Sequence, residues 1–167
     1  MSALTRRARI AAEAIGPALN GAGWTLATAE SCTGGLVGHL ITQVSGCSAY
    51  YRGGVISYDN AIKHSLLGVT ADDLRDHGAV SEEVAAQMAR GVCELLHADV
   101  GISVTGIAGP LGGTRAKPVG TVYIGLCLPD GEFVEHHVWD SDREGNKLVS
   151  AVAALELLAE TIVVDWP

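Results

Sequence analysis

The sequence predicts an α/β fold with three layers, an α/β/α sandwich in which a mixed β-sheet lies between two layers of helices. Short apolar segments alternate with segments of helical periodicity, as expected for strands joined by crossover helices. Asp130-Gly131 separates two apolar runs, which adds an antiparallel hairpin and makes the sheet mixed. The chain has 167 residues, 48% of them hydrophobic, enough for one core. We therefore expect a single domain over residues 1–167.

The first half of the chain opens with a predicted helix over residues 5–20. Ile10, Ala14 and Leu19 fall roughly on one side of this helix, and the glycines around residue 22 end it. The next elements are predicted in the order strand, helix, strand and short helix: residues 24–29, 33–44, 50–58 and 60–67.

The second half continues with two helices that have recognisable caps. Thr70 caps a short helix that runs to His77, and Ser81 caps a longer one. The longer helix has apolar residues at helical spacing: Val84, Met88, Val92 and Leu95. A strand, the hairpin and a final helix follow at 99–105, 121–128 with 132–139, and 142–161. In the last helix, four residues should face inward: Leu148, Val152, Leu155 and Ala159.

Composition argues against several classes of protein. The net charge is −8, with 11 basic and 19 acidic residues, so nucleic acid is not expected as the main partner. No apolar run reaches the ~18 residues of a membrane span, and no apolar segment follows the basic N-terminal residues as in a secretory signal. A cytoplasmic location without membrane contact is therefore expected. No cysteine pair has C-x-x-C spacing, so neither a zinc site nor a redox dithiol is indicated.

Two segments share a pattern in which hydroxyl side chains and glycines follow an apolar strand: Ala-Glu-Ser-Cys-Thr-Gly-Gly at 29–35 and Val-Thr-Gly-Ile-Ala-Gly-Pro at 104–110. In open α/β sheets, ligands bind beyond the carboxyl ends of strands. Glycines let a ligand approach the backbone, and free N–H groups can hold an anion or a developing oxyanion. The alternative is that these glycines only form tight turns.

Ser31 is the candidate nucleophile, placed near the start of the helix predicted from Thr33. The same serine would also serve as a simple N-cap. A serine nucleophile needs a base, and the six histidines belong to no recognisable motif. Lys63 is the other candidate base, on a short helix just after Tyr58, whose phenol could relay or orient a proton. By spacing alone, a lysine in this position is more often a solvated surface residue. Cys32 is a rival nucleophile, because a helix start would lower the pKa of its thiol.

Several motifs in order resemble one known family. They lie at 29–35, 57–63 with 66–69, 78–84, and 104–110 with 117–125. Together, over about residues 10–160, they closely resemble the C-terminal domain family of the competence/damage-inducible protein CinA. The resemblance implies an α/β/α domain whose active members hydrolyse the carboxamide of nicotinamide mononucleotide to nicotinate mononucleotide and ammonia, in pyridine-nucleotide salvage. It implies no metal and no organic cofactor.

The resemblance also assigns roles to residues. Ser31 matches the nucleophile, Lys63 the base and Tyr58 the accompanying phenol, while Arg143 could meet the substrate phosphate. Substrate contacts are further implied along the two loops, at Glu30, Thr33, Gly34, Gly35, Thr105, Gly106 and Gly109. The backbone N–H groups around residues 33–35 are candidates for the oxyanion hole.

The chain departs from the usual family pattern at Asp59, Ala61, Ile62, Leu111, Ser141 and Lys147. These departures bear on substrate affinity, and on the phosphate contacts in particular. The alternative function is a catalytically silent nucleotide-binding or regulatory module linked to competence or DNA damage. Besides a small nucleotide, the expected partner is a second copy of the chain, because the apolar strands and helix faces favour a homodimer.

Overall fold

A computed structural model describes residues 2–164 and 166, in which six α-helices and five strands are present. The helices are Ala3–Ala22 (α1), Leu36–Thr42 (α2), Asn60–Leu67 (α3), Ala71–Asp76 (α4), Glu82–Leu96 (α5) and Arg143–Ile162 (α6). The strands are Leu26–Glu30 (β1), Tyr51–Ile56 (β2), Val100–Gly106 (β3), Thr121–Leu128 (β4) and Gly131–Val138 (β5).

The five strands form one mixed sheet in the order β2-β1-β3-β4-β5. β1 lies between β2 and β3 and is parallel to both, whereas β4 is antiparallel to β3 and β5. The carboxyl ends of β1, β2 and β3 therefore meet at one edge of the sheet. Ser31, Ser57 and Ile107 leave the sheet at this edge.

Helices cover both faces of the sheet, which confirms the predicted α/β/α sandwich. One face packs against α1, α2 and α6 in a core that includes Ile15, Ile41 and Leu155. The other face packs against α5 and α3, around Met88 and Leu67. Each layer exists because a sheet with two apolar faces removes both from water only when helices cover both.

Most predicted elements are present, with shifts of one to three residues at many of their ends. The predicted caps of α4 and α5 are confirmed: Thr70 Oγ1 accepts from Asp73 N–H, and Ser81 Oγ accepts from Val84 N–H. Two apolar side chains differ from the periodic pattern, since Ile10 is 47% exposed and Leu95 is 41% exposed. Ile10 lies on the side of α1 opposite the buried Ala8, Ile15 and Leu19, so the prediction that it shares a side with Leu19 was wrong, whereas Leu95 lies in the last turn of α5.

The helix after β1 begins later than predicted. It starts at Leu36 rather than Thr33, because Gly34 and Gly35 adopt left-handed φ angles of 63° and 98° and interrupt a right-handed helix. The prediction that Ser31 is the N-cap of α2 was therefore wrong, and Ser31 lies in a turn that precedes the helix.

Among residues 2–164 and 166, no helix is both long enough and apolar enough to cross a membrane.

Candidate active site

Ser31 and Lys63 form a buried pair at the carboxyl edge of the sheet. Lys63 Nζ lies 3.1 Å from Ser31 Oγ. Lys63 is 1% exposed and Ser31 is 8% exposed, so Lys63 is not the solvated surface residue that its spacing alone allowed. The backbone of Ser31 is fixed by its N–H, which donates to the Val104 carbonyl of β3 at 2.9 Å. The hydroxyl is thus held on a rigid element next to a lysine.

The other contacts of Lys63 suit a neutral amine. Its Nζ lies 2.6 Å from the carbonyl oxygen of Ser57 and 3.3 Å from that of Tyr58, so Lys63 can donate one N–H group to each carbonyl. A neutral amine has two N–H bonds and one lone pair, so the lone pair is left for the proton of Ser31 Oγ. Burial lowers the pKa of Lys63 from its ordinary value, and the neighbouring Cys32 and Asp59 side chains oppose this shift only in part. This geometry and the pKa shift are what a serine nucleophile requires of its base.

Glu30 is buried beside the pair and holds the start of α2. Its carboxylate accepts hydrogen bonds from the N–H groups of Gly35, Val37 and Gly38 at 3.0, 3.0 and 2.9 Å. Its carbonyl accepts from Ser57 N–H at 2.8 Å, which ties β1 to the segment that leads to Lys63. Glu30 was predicted to contact substrate, but both carboxylate oxygens are bonded inside the protein. The side chain therefore shapes the loop.

In the loop after β1, some backbone N–H groups donate to acceptors within the protein and others stay free. Gly34 N–H donates to the Ser31 carbonyl at 3.1 Å, and Gly35 N–H donates to Glu30. Within the described part of the chain, the N–H groups of Cys32 and Thr33 have no hydrogen-bond acceptor in another residue. Of the three predicted oxyanion donors at 33–35, only Thr33 is therefore free.

Cys32 is poorly suited to be the nucleophile. It is buried in the core, and burial raises the pKa of its thiol to about 12. The prediction that a helix start would lower this pKa was wrong, because α2 begins four residues later and the side chain packs among apolar groups.

Tyr58 and Arg143 meet at the surface rather than at Lys63. The Tyr58 side chain is exposed, and its phenol accepts a hydrogen bond from Arg143 Nη2 at 3.3 Å. Arg143 Nη1 also donates to the Gly109 carbonyl at 2.7 Å. Only the backbone carbonyl of Tyr58 contacts Lys63, so the predicted proton relay through its phenol is not formed in this structure. Arg143 instead bridges the segment after β2 and the loop after β3.

The end of β3 and the loop after it use their predicted site residues for packing. The hydroxyl of Thr105 is buried and donates to the Ala79 carbonyl at 2.7 Å. A side chain at Gly106 would collide with Val122, and one at Gly109 would collide with Val119. These contacts give all three residues a role in the protein's own packing, and their predicted substrate contacts stay predictions.

A cleft lies between α2 and the start of α6. It has a volume of about 470 Å³ and is lined by Leu36, Arg143, Glu144, Lys147 and Leu148. The Lys147 ammonium also approaches Gly34, within 3.8 Å of where a Cβ would lie. A slightly larger cleft of about 500 Å³ lies between α1 and the end of α2, but no residue of the Ser31 loop lines it, and its Arg9 and Glu13 pair with each other. The first cleft is thus the better candidate for an anionic ligand.

Three contributions were not found in the sequence. The Ser57 carbonyl orients Lys63, and no side-chain pattern signals a backbone acceptor. Asn146 donates to the Ala108 and Ser141 carbonyls and so joins α6 to the loop after β3. Lys147, noted only as a departure, lies one helical turn after Arg143, a spacing that places two cations on one helix face.

A buried serine–lysine pair at the carboxyl edge of a mixed α/β/α sheet is an arrangement suited to nucleophilic acyl transfer. The model of the CinA C-terminal domain family matches residues 8–162, and the chain belongs to this family.

Relatives and solved structures agree with this assignment. A CinA-like protein of Salinibacter ruber is 51% identical over 150 residues, which cover 90% of this chain and 36% of the relative. A CinA-like protein of Nostoc is 48% identical over 164 residues, covering 91% and 38%. The chain thus spans little more than a third of the curated relatives it matches.

Two solved structures are similar over nearly their whole length. Competence/damage inducible protein CihA from Agrobacterium tumefaciens has a TM-score of 0.87 and 38% identity, with 92% of this chain and 94% of that chain covered. Competence damage-inducible protein A from Klebsiella pneumoniae has a TM-score of 0.89 and 32% identity, with 96% and 99% covered.

Proposed function

We propose that this domain is a nicotinamide-nucleotide amidase, which hydrolyses the carboxamide of nicotinamide mononucleotide to nicotinate mononucleotide and ammonia in pyridine-nucleotide salvage. The observation that carries the proposal is the buried contact of 3.1 Å between Ser31 Oγ and Lys63 Nζ, with the lysine held by two carbonyls. Membership of the CinA family supports the same activity. No metal or organic cofactor takes part in the proposed reaction.

The acylation step follows from the contacts of the pair. Ser31 Oγ forms a bond to the amide carbon as neutral Lys63 takes the hydroxyl proton, and the carbonyl π electrons move onto the oxygen. When this tetrahedral intermediate collapses, the C–N bond breaks, and the Lys63 ammonium gives its proton to the leaving nitrogen, which departs as ammonia. Lys63 is neutral again and activates a water molecule, which releases the nicotinate product from Ser31.

The cleft between α2 and α6, whose Lys147 approaches Gly34 of the Ser31 loop, supports a substrate with a phosphate group. Arg143 and Lys147 contribute two cations on one face of α6. An exposed guanidinium can bind two phosphate oxygens at once, and Lys147 would add a point charge. With the Glu144 carboxylate in the same lining, two cations face one anion, which leaves the cleft with a positive balance in a chain whose net charge is −8. A second copy of the chain remains a predicted partner.

The direct test is ammonia release from nicotinamide mononucleotide. The wild type should release ammonia, and Ser31→Ala and Lys63→Ala should each lose at least about a thousandfold in kcat. Lys117→Ala is the matched control, because Lys117 Nζ also donates to a carbonyl at 2.6 Å, that of His77, and makes no hydrogen bond to Ser31. Tight binding of the mononucleotide by a folded wild type without turnover would contradict the amidase and favour a nucleotide-binding module.

A further inference from the structure

Glu30 has an unusual position for a carboxylate next to a candidate nucleophile. It is 2% exposed, and among the described residues no arginine, lysine or histidine side chain bonds to its carboxylate. Its hydrogen-bond partners are three backbone N–H groups. A carboxyl group that is buried in this way stabilises one loop conformation strongly, because any other conformation would leave its buried oxygens without partners.

The bonds made by Glu30 determine which donors of the loop stay free. Gly35, Val37 and Gly38 donate to its carboxylate, and the turn closed by Gly34 consumes a fourth N–H group. Cys32 and Thr33, which occupy the centre of that turn, keep their N–H groups without an acceptor in another residue, as far as the described chain extends.

A second observation, a buried hydroxyl without a partner, also concerns Thr33, whose N–H group is free. Thr33 is 1% exposed, and its Oγ1 has no hydrogen-bond partner within residues 2–164 and 166. The Cys32 N–H lies near its own sulfur, which is a weak acceptor and competes poorly with an oxyanion. Free backbone donors directly after a nucleophile are the usual components of an oxyanion hole.

We propose that Glu30 is a positioning residue that holds the turn after Ser31 so that the N–H groups of Cys32 and Thr33 bind the oxyanion of the tetrahedral intermediate. This inference rests on the proposed amidase function and adds to it. It replaces the predicted donors at Gly34 and Gly35, whose N–H groups are used within the loop. It also changes the role of Glu30 from substrate contact to organisation of the donors.

The first test is Glu30→Gln, in which a neutral amide replaces one carboxylate oxygen with a donor that faces other donors. We expect kcat to fall about a hundredfold, the effect of losing one oxyanion donor, while KM changes less than about threefold. Ser81→Ala is the matched control, because it removes a cap from α5, which does not carry the pair. In Ser81→Ala, both kcat and KM should stay within about threefold of the wild-type values.

A second variant removes one donor alone. Replacing Thr33 by the corresponding 2-hydroxy acid converts the Cys32–Thr33 amide into an ester and deletes only that N–H group. This variant should also lose about a hundredfold in kcat, whereas the same ester at Val84 should not. If Glu30→Gln does not fold, the Thr33 ester variant still tests whether the turn after Ser31 binds the oxyanion. An unchanged kcat in a folded Glu30→Gln or Thr33 ester protein would overturn the proposal, and so would a loss that appears only in KM.

A readout that does not use the nucleotide separates this inference from the proposed function. A fluorophosphonate should label Ser31 in the wild type, and labelling should slow about a hundredfold in Glu30→Gln. If the wild type is labelled but releases no ammonia from the mononucleotide, the proposed substrate is wrong, and the labelling rates still decide the role of Glu30. A wild type that is neither labelled nor active contradicts both.

Discussion

The loop after β1 and the loop after β3 leave the same edge of the sheet, and both combine hydroxyl side chains with glycines. In the first loop, Ser31 contacts Lys63, and two backbone donors stay free. At the second, Thr105 at the end of β3 donates to the Ala79 carbonyl, and Gly109 makes room for Val119. The same sequence pattern therefore accompanies a candidate catalytic loop in one place and a packed supporting loop in the other.

The difference lies in what surrounds each loop. The first loop faces α3 and the cleft beside α6, where a buried amine and two cations are available. The second is enclosed by its own chain, and Arg143 and Asn146 bond to its carbonyls. A glycine pattern at a strand end thus indicates a special backbone, but its partners decide whether that backbone serves chemistry or packing.

The largest expected effect tests the contrast between two lysines that each donate to a carbonyl at 2.6 Å. Lys63→Met keeps the apolar stem but removes the base, so kcat should fall at least about a thousandfold with the fold intact. Lys117→Met, beside the second loop, should leave kcat within about threefold. Steady-state kinetics with circular dichroism checks both. Equal losses in the two variants would contradict the assignment of separate roles.

The next effect concerns stability. Both Gly34 and Gly109 have positive φ, at 63° and 86°, so alanine costs about 1–2 kcal/mol at either position. At Gly109 the new Cβ also collides with Val119, which adds about 1–3 kcal/mol. Gly109→Ala should therefore lower the free energy of unfolding more than Gly34→Ala in urea titrations. A larger loss at Gly34 would mean that the first loop is the more tightly packed of the two.

The pH dependence of activity sharpens the role of Lys63. Only the neutral amine can accept the Ser31 proton, so kcat/KM should fall about tenfold per pH unit below the pKa of Lys63 and level off above it. Burial places this pKa below the ordinary 10.5, so the midpoint should lie below 10.5. Protonation is also harder in the folded state, so stability should decrease as pH falls from 10.5 through the folded pKa. A kcat/KM midpoint at or above 10.5 would exclude a buried base.

The smallest effect concerns Arg143, which bridges the two regions. Arg143→Gln should raise KM for nicotinamide mononucleotide about tenfold, since a charge-assisted contact to phosphate is lost. The KM for nicotinamide riboside, which lacks the phosphate, should change less than about threefold. Initial-rate measurements with both substrates give the comparison. An equal rise for the two would show that Arg143 acts by holding the Gly109 carbonyl and not through the phosphate.

Much of the fold could be predicted because its signals are local. The caps at Thr70 and Ser81, the Asp-Gly turn and the apolar periodicity each depend on neighbours within a few residues. The start of α2 was missed because a glycine pair is compatible with either a turn or a helix start. The role of Tyr58 was also missed, since the direction of its side chain depends on Arg143, 85 residues away.

The sequence by itself determined the three-layer fold, the family and the presence of Ser31 directly after β1 and of Lys63 on the short helix after β2. These follow from periodicity, caps and the order of motifs, which are properties of the chain in one dimension. Only the tertiary structure decided that Lys63 is buried against Ser31, that Glu30 is occupied by three N–H groups, and that Thr105 and Gly109 serve packing. The physical reason is that burial and hydrogen-bond partners come from distant segments, and no residue carries that information alone.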